Sequence, residues 1–454
     1  MILFNFSKWN KTLGWTVFGI SLICYALTIE PTVSFWDAGE YILTSSKLQV
    51  GHPPGAPLFQ MLGAFFSIFT FGNNEYIGMM MNMMSGVASA FTILFMFWSI
   101  TLLLKRLVKY DPKTSEAHKG YAILASGLVG SLAFAFTDSF WFNAVETEVY
   151  AMAILIMAIM FYLALRWEED MDKPRGNRWL ILIAFVIGLS FGVHFMGLLT
   201  IPAIGLIYYF KNVKTITVRN FIIANVVSVS ILLFIFKLLL PNTLRFFGFM
   251  EVFIVNTFGL PFHSGTIIAG VLVIALFYFA LKYTRTKNYK HANTLVLCLL
   301  FIFIGFSSWM MLPIRANAKV IINENDPSDA RELLAYYNLE QYPETHLFWG
   351  PQFTEIYSGE DPVEPYVDDK KNYEKNYETG KYEVINNWKR AKQNYNHTHA
   401  VFLPRMWSVE HAENYMMFTG FVDFKIRSDL RNNFEMMALN EGIPEEDASA
   451  YALA

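Results

Sequence analysis

The chain is dominated by long apolar runs separated by short polar breaks. Runs near residues 12–29, 76–104, 120–136, 149–165, 221–240, 266–281 and 293–313 are each long enough for a helix to cross a hydrocarbon core of ~30 Å. The apolar stretch from Pro57 to Phe71 is shorter and follows Pro53-Pro54, so it predicts a re-entrant or interfacial helix. Residues 179–210 are too long for one span, and Gly188, Gly192, Gly197 and Pro202 offer places to bend. Two short spans meeting near His194 are therefore expected. Nine crossings follow, ending at Pro313, and the pattern after it turns polar.

Charge divides the chain at the same place. Residues 1–314 hold 21 Lys/Arg and 14 Asp/Glu, whereas the much shorter 315–454 holds 14 and 24. With a hydrophobic fraction of 54% and a mean hydropathy of +0.33, the fold class expected is an all-α polytopic membrane protein. Its domains are a bundle over 1–314, with a first exported loop at 30–56, and an exported, loop-rich α or α+β region over 315–454.

Under the nine-crossing scheme, 18 of the 21 cations in 1–314 fall on one side, leaving Lys47, Lys237 and Arg245. The positive-inside rule makes that side the cytoplasm. The expectation is a multi-pass protein of the inner (cytoplasmic) membrane, in contact with membrane lipids, with a cytoplasmic N-terminus and a periplasmic 315–454. The first span should remain as an anchor, since no small-x-small cleavage site follows it before Glu30. A net charge of −3 and scattered basic clusters argue against nucleic acid as a partner. Cys24 and Cys298, each inside an apolar run, build neither a disulfide framework nor a thiolate metal site.

The loops assigned to the outer side carry a different chemistry. Asp37 and Glu40 stand in F-W-D-A-G-E-Y, three residues apart and hence on one face of a helix. His52 stands in G-H-P-P-G-A-P, whose prolines stiffen the backbone while its glycines free it. Asp138, Glu146 and Glu148 precede the run at 149–165, followed by His194, Arg245 and His263. Solvated loop acids are the bland alternative, and for Glu146 and Glu148 so is a helix start. Phosphate-loop, dinucleotide-glycine and H-E-x-x-H patterns are absent, which removes the usual support for nucleotide-driven pumping, redox chemistry and zincin proteolysis.

These blocks, F-W-D-A-G-E-Y, G-H-P-P-G-A-P, E-T-E-V-Y-A, G-V-H-F-M and P-I-R-A-N-A with I-N-E-N-D-P, together resemble one family. It comprises bacterial, Bacteroidota-type relatives of the transmembrane protein O-mannosyltransferases, formerly a domain of unknown function, with a glycosyltransferase-C-like fold. The resemblance covers nearly all of residues 12 to about 425. It implies transfer of a hexose, mannose in the first instance, from a polyprenyl-phosphate donor to Ser/Thr hydroxyls of an exported acceptor protein, centred on the acidic first loop.

Within that implied reaction, a base must stand within hydrogen-bond reach of the attacking hydroxyl, and donor groups must meet the leaving phosphate. Asp37 is the expected base, with Glu40 orienting the acceptor or tuning Asp37, and the reverse assignment stays open. His52, His194, Arg245 and Arg315 are the expected phosphate-binding residues, with Lys47 a weaker choice. Glu146 and Glu148 are expected to bind sugar hydroxyls or a divalent ion, and their chemistry does not separate Mg²⁺, Mn²⁺ and Zn²⁺. A single displacement with inversion follows from one base and one phosphate leaving group.

The polar region mixes acids with aromatics. His397 and His399 are expected in a solvated loop, and Phe402 to Phe424 is amphipathic enough to lie on the bilayer or cover the cleft. The segment from Glu445 reads as a helix opening, and family members of this kind continue into further spans, so the chain is expected to be a truncated product. Two rivals stand beside the enzyme: a glycosyltransferase acting on a lipid or polysaccharide, and a transporter or flippase.

Overall fold

The computed structural model describes residues 4–108, 115–342, 346–352, 360–369, 372–386, 392–408, 411–419 and 428–444. Two compact units divide at Tyr342/Pro343.

The first unit is helical. Its elements are α1 (Phe6–Leu27), α2 (Ala38–Ser46), α3 (Pro57–Ser67), α4 (Ile77–Leu107), α5 (Glu116–Ala135), α6 (Asp138–Ala144), α7 (Val149–Asp170) and α8 (Arg178–Ser190). They continue as α9 (Ile201–Asn212), α10 (Val218–Leu233), α11 (Leu240–Phe258), α12 (Ser264–Thr286), α13 (Lys290–Phe306), α14 (Met311–Asn317) and α15 (Ala330–Tyr337). Helix α4 lies between α1, α5 and α7, and a chain of neighbours runs α7, α8, α13, α12, α11. The core is built mainly of apolar side chains, from Met84, Met160 and Ile183 to Phe191 and Trp309.

Among the described residues, five helical stretches are long and apolar enough to cross a membrane: Asn74–Leu107, Val149–Asp170, Val218–Phe258, Ser264–Thr286 and Lys290–Asn317. The pair α5 and α6, bent by 69°, makes a sixth if taken as one span. The chain is thus a helical, multi-pass membrane protein, with fewer full-length spans than the nine expected. The break foreseen near His194 is present, but α8 and α9 have only 13 and 12 residues, about 20 Å each. The helix over Pro57–Thr70 is likewise short. Helices α10 and α11 run on as one stretch of 41 residues because residues Phe234–Leu239 widen into a π-helix just before Pro241, which has no N–H to donate.

The two ends of the unit differ in charge. At one, Arg106 bonds the Glu168 carboxylate and the Leu165 carbonyl, Asp170 accepts from Lys173, Arg178 and Trp179, and Lys211 pairs with Asp172. At the other, 22 helical residues away along α7, or about 33 Å, lie Glu148 and the first loop.

The helical unit runs past residue 314, where the sequence placed its end. Arg315 donates to the Leu48 and Lys47 carbonyls, and Gln49 accepts from Ile322, so 315–342 is bonded into the first loop.

Among its described residues the second unit has three two-stranded antiparallel sheets: β1 (Trp349–Pro351) with β6 (Ala400–Phe402), β2 (Tyr366–Val367) with β5 (Lys392–Gln393), and β3 (Asn372–Asn376) with β4 (Lys381–Asn386). Helices α16 (Ala412–Thr419) and α17 (Ser428–Asn440) follow. His397–His399 forms a single helical turn before β6. Part of the amphipathic segment Phe402 to Phe424, and the helix opening expected from Glu445, lie outside the described residues.

Candidate functional site

Loop 28–56 folds back across the end of the bundle through backbone bonds to three distant segments. Glu30 N–H donates to the Val145 carbonyl at 3.1 Å, tying it to the loop that carries Glu146 and Glu148. The Asn82 amide, fully buried in α4, donates to the Glu30 and Thr32 carbonyls at 2.7 and 2.9 Å, and its oxygen accepts the Thr147 hydroxyl. Further on, Val50 N–H donates to the Ile322 carbonyl and Glu324 N–H returns to the Val50 carbonyl, at 3.0 and 3.1 Å. Asn323 of the I-N-E-N-D-P segment thereby forms a single parallel bridge with Val50, just before G-H-P-P-G.

Asp37 precedes the first turn of α2, and Glu40 lies in that turn, so the spacing of three does place both carboxylates on one face. What meets that face is His52. Its N–H donates to Glu40 Oε1 at 2.6 Å, its Nδ1 lies 2.8 Å from Glu40 Oε2, and its Nε2 lies 3.9 Å from Asp37 Oδ2. The Glu40 hydrogen bond, outweighing burial, raises the His52 pKa. Burial opposes ionisation of Glu40, but the side-chain and backbone bonds from His52 win and lower its pKa. Both oxygens of Glu40 are thus taken up by His52, one by its backbone N–H and one by its ring, whereas the Asp37 side chain keeps 60% of its surface exposed.

Two glycines make the approach possible. A Cβ at Gly51 would lie 2.7 Å from Glu40 Oε1. At Gly55, where φ is +68°, it would lie 2.7 Å from the Tyr336 hydroxyl, which donates to the Gly51 and His52 carbonyls.

On the other side of Asp37 opens a cleft of about 660 Å³, bounded by Trp36, Phe142, Glu146, Glu148, Tyr150 and Met196. Glu146 and Glu148 are buried, at 3% and 7% exposure. Burial, then the charges of Asp37 and Glu146, push the Glu148 carboxyl up to about 7. Burial likewise raises Glu146. Trp36, in a left-handed conformation at φ 61°, stands 88% exposed beside Asp37.

The residues expected at a phosphate separate. His52 belongs to the carboxylate cluster. His194 lies against Tyr150, with the rings tilted by 56° and their centroids 5.3 Å apart, and its Nδ1 accepts the Met196 N–H, which leaves the proton on Nε2. Burial lowers its pKa, so it is a neutral donor rather than a cation. Arg315 clamps the Lys47 and Leu48 carbonyls, which brings it to the first loop, while Arg245 bonds Asn242 on the exposed face of α11. Among the described residues, no contact joins Arg245 to the acids. His263 caps elsewhere, its N–H donating to the buried Glu251. No group of three or more His, Cys, Asp or Glu among the described residues is arranged to hold a metal ion, so Glu146 and Glu148 form a pair without a third ligand.

Asn82, Tyr336 and Glu324 also meet the first loop, and nothing in their spacing along the chain ties them to it. Glu324 senses the charges of Glu40 and His52, and burial raises its pKa. The quoted block I-N-E-N-D-P contained it, but nothing local indicates that it meets a loop more than 260 residues earlier.

Residues 37–217 match the family model described as the Protein O-mannosyl-transferase TMEM260 N-terminal domain, and residues 343–438 match a Family of unknown function (DUF8416). The chain is 28% identical over 175 residues to the Protein O-mannosyl-transferase TMEM260 of Mus musculus, covering 38% of this chain and 22% of that protein. It is 27% identical over 191 residues to its counterpart in Dictyostelium discoideum, covering 40% and 21%. The match thus spans about a fifth of the length of these curated relatives. No solved structure matches.

Proposed function

We propose that the chain is an integral-membrane glycosyltransferase that moves mannose from a polyprenyl-phosphate donor to Ser/Thr hydroxyls of exported proteins. The observation that carries this reading is the division of labour between the first-loop acids: Glu40 is spent on His52, while Asp37 stands open beside the cleft. That loop begins the segment matching the O-mannosyl-transferase domain.

In the reaction proposed, Asp37 takes the proton of the acceptor hydroxyl as its oxygen bonds to the anomeric carbon. The bond from that carbon to the phosphate oxygen breaks, polyprenyl phosphate leaves with the electron pair, and the configuration inverts. The His52 ring, held by Glu40, lies 3.9 Å from Asp37 and in its protonated form steadies the charge there. Arg315, whose guanidinium reaches the first loop, and Lys47 beside it are the cations proposed to meet the phosphate, while His194, beside Tyr150 and Met196 of the cleft, is proposed to offer its Nε2–H on the cleft side. Glu146 and Glu148 then face sugar or acceptor. In this orientation the acidic end lies outside the inner membrane and the basic end in the cytoplasm.

The test supplies membranes containing the chain with polyprenyl-phosphate-mannose or with a nucleotide-linked mannose, and an exported acceptor protein. The reading expects hexose on Ser/Thr of the acceptor with the lipid donor, in a product of inverted configuration by NMR. Transfer only from the nucleotide donor, or a retained configuration, would contradict it.

A further inference from the structure

The cleft beside Asp37 has a one-sided chemistry. Three carboxylates line it, Asp37, Glu146 and Glu148, and its lining contains no Lys, Arg or His. Glu148 is 7% exposed, and burial together with the charges of Asp37 and Glu146 outweighs the help its carboxylate has from the Val149 N–H and the more distant His52. The neighbouring charges that reach it are those of Asp37, Glu146 and His52, and the Tyr41 and Tyr150 hydroxyls lie nearby. Of these, His52, which lies against Asp37 and Glu40, is the one that can carry positive charge. The walls are aromatic, with Trp36 open at the mouth and Phe142 and Tyr150 beside the acids.

A phosphate placed in this cleft would face three carboxylates, and electrostatics excludes it. A neutral pyranose would fill space and bond to the acids but leave their charge uncompensated. A cationic side chain answers every feature: it compensates Asp37, favours loss of the proton that burial holds on Glu148, and meets the exposed Trp36 face on the way in.

We infer that this cleft is the subsite for the acceptor polypeptide and that it selects segments with a Lys or Arg beside the modified Ser or Thr. The donor phosphate then approaches from the opposite flank of Asp37, where Arg315 and Lys47 meet the loop. This deepens the mannosyltransferase reading and rests on its protein acceptor.

The experiment measures peptide binding to the full chain in detergent, without donor, so that it does not depend on transfer. Three Ser/Thr peptides differ only in the flanking residue, Lys, Gln or Glu. The expected result is at least tenfold tighter binding of the Lys peptide than of the Glu peptide, shrinking as salt rises. Glu148→Gln and Glu146→Gln should each reduce that preference several-fold. Asn143→Lys, which adds a cation to the cleft lining without removing a buried group, should reduce it in a chain whose fold circular dichroism confirms. Equal affinity of the three peptides for the wild-type chain would overturn the inference. So would displacement of the Lys peptide by free methyl mannoside or by Mg²⁺ alone at low millimolar concentration. Charge-selective binding with no mannosyl transfer would leave the cleft assignment standing and remove the transferase reading, and transfer without charge selection would do the reverse.

Discussion

Thr147 donates its hydroxyl to the side-chain oxygen of Asn82, while the amide nitrogen of the same Asn82 holds the carbonyls of Glu30 and Thr32. One side chain in α4 therefore sets the spacing between the loop of Asp37 and the loop of Glu146 and Glu148.

Asn82→Leu removes three hydrogen bonds at a buried point and should cost about 1–3 kcal/mol of stability. Thermal unfolding in detergent checks this. Because the loops are displaced rather than removed, kcat for transfer should fall further than KM rises. An unchanged melting temperature with unchanged kcat would show that the clamp does not position the loops.

The Glu40–His52 pair makes a pH-dependent contribution whose sign follows from the two shifts. Glu40 is lowered from 4.5, so its contribution is present above that value and is lost as pH falls through its depressed pKa. His52 is raised from 6.5, so its contribution is full below that value and is lost as pH rises through its elevated pKa. The melting-temperature difference between wild type and Glu40→Gln should accordingly be largest near pH 5–6.5 and shrink on both sides. A difference independent of pH would contradict the ion pair.

Glu148 works in the opposite sense. Its pKa is raised by burial and by Asp37 and Glu146, from 4.5 to about 7, so the folded state keeps a proton that the unfolded chain has lost. Stability is lost as pH rises between those two values. Glu148→Gln, which cannot ionise, should gain stability relative to wild type across that interval and hold the gain above it. Melting curves of both proteins at pH 5 and pH 8 test this, and a gain no greater at pH 8 would contradict it.

Gly55→Ala should destabilise the first loop by about 1 kcal/mol from its backbone conformation alone, and by more from the contact with the Tyr336 hydroxyl. Tyr336→Phe removes the hydroxyl part of that contact, keeps the ring carbon that would lie 2.9 Å from the new Cβ, and leaves the Gly51 carbonyl without its donor. In a double-mutant cycle the two substitutions should therefore be non-additive, and strict additivity in unfolding would show that they do not meet.

Much of this arrangement was legible along the chain because it is local. The spacing of Asp37 and Glu40 sets their common face, and the glycines and proline near His194 mark the break between α8 and α9. Helix lengths were less legible. Hydropathy extends an apolar run across residues 179–210 without showing that each half is too short to span, and it ends a span at 240 where a π-helix lets the helix continue into α11. The partners of the first loop left no trace in spacing. Asn82 is one polar residue in a Met-rich helix, and Tyr336 stands 285 residues from the carbonyl it holds. His52 read as a phosphate ligand because a histidine's neighbours in sequence do not reveal that Glu40 and Asp37 face both its ring nitrogens.

The account turns on Asp37 as the group that takes the acceptor proton. The most direct measurement compares single-turnover mannosyl transfer from polyprenyl-phosphate-mannose by wild type, Asp37→Asn and Glu40→Gln. The account predicts that Asp37→Asn lowers the rate by about 10²–10⁴ while donor and peptide still bind, and that Glu40→Gln retains more activity because it acts through His52. Transfer by Asp37→Asn at the wild-type rate, with Glu40→Gln inactive, would contradict it.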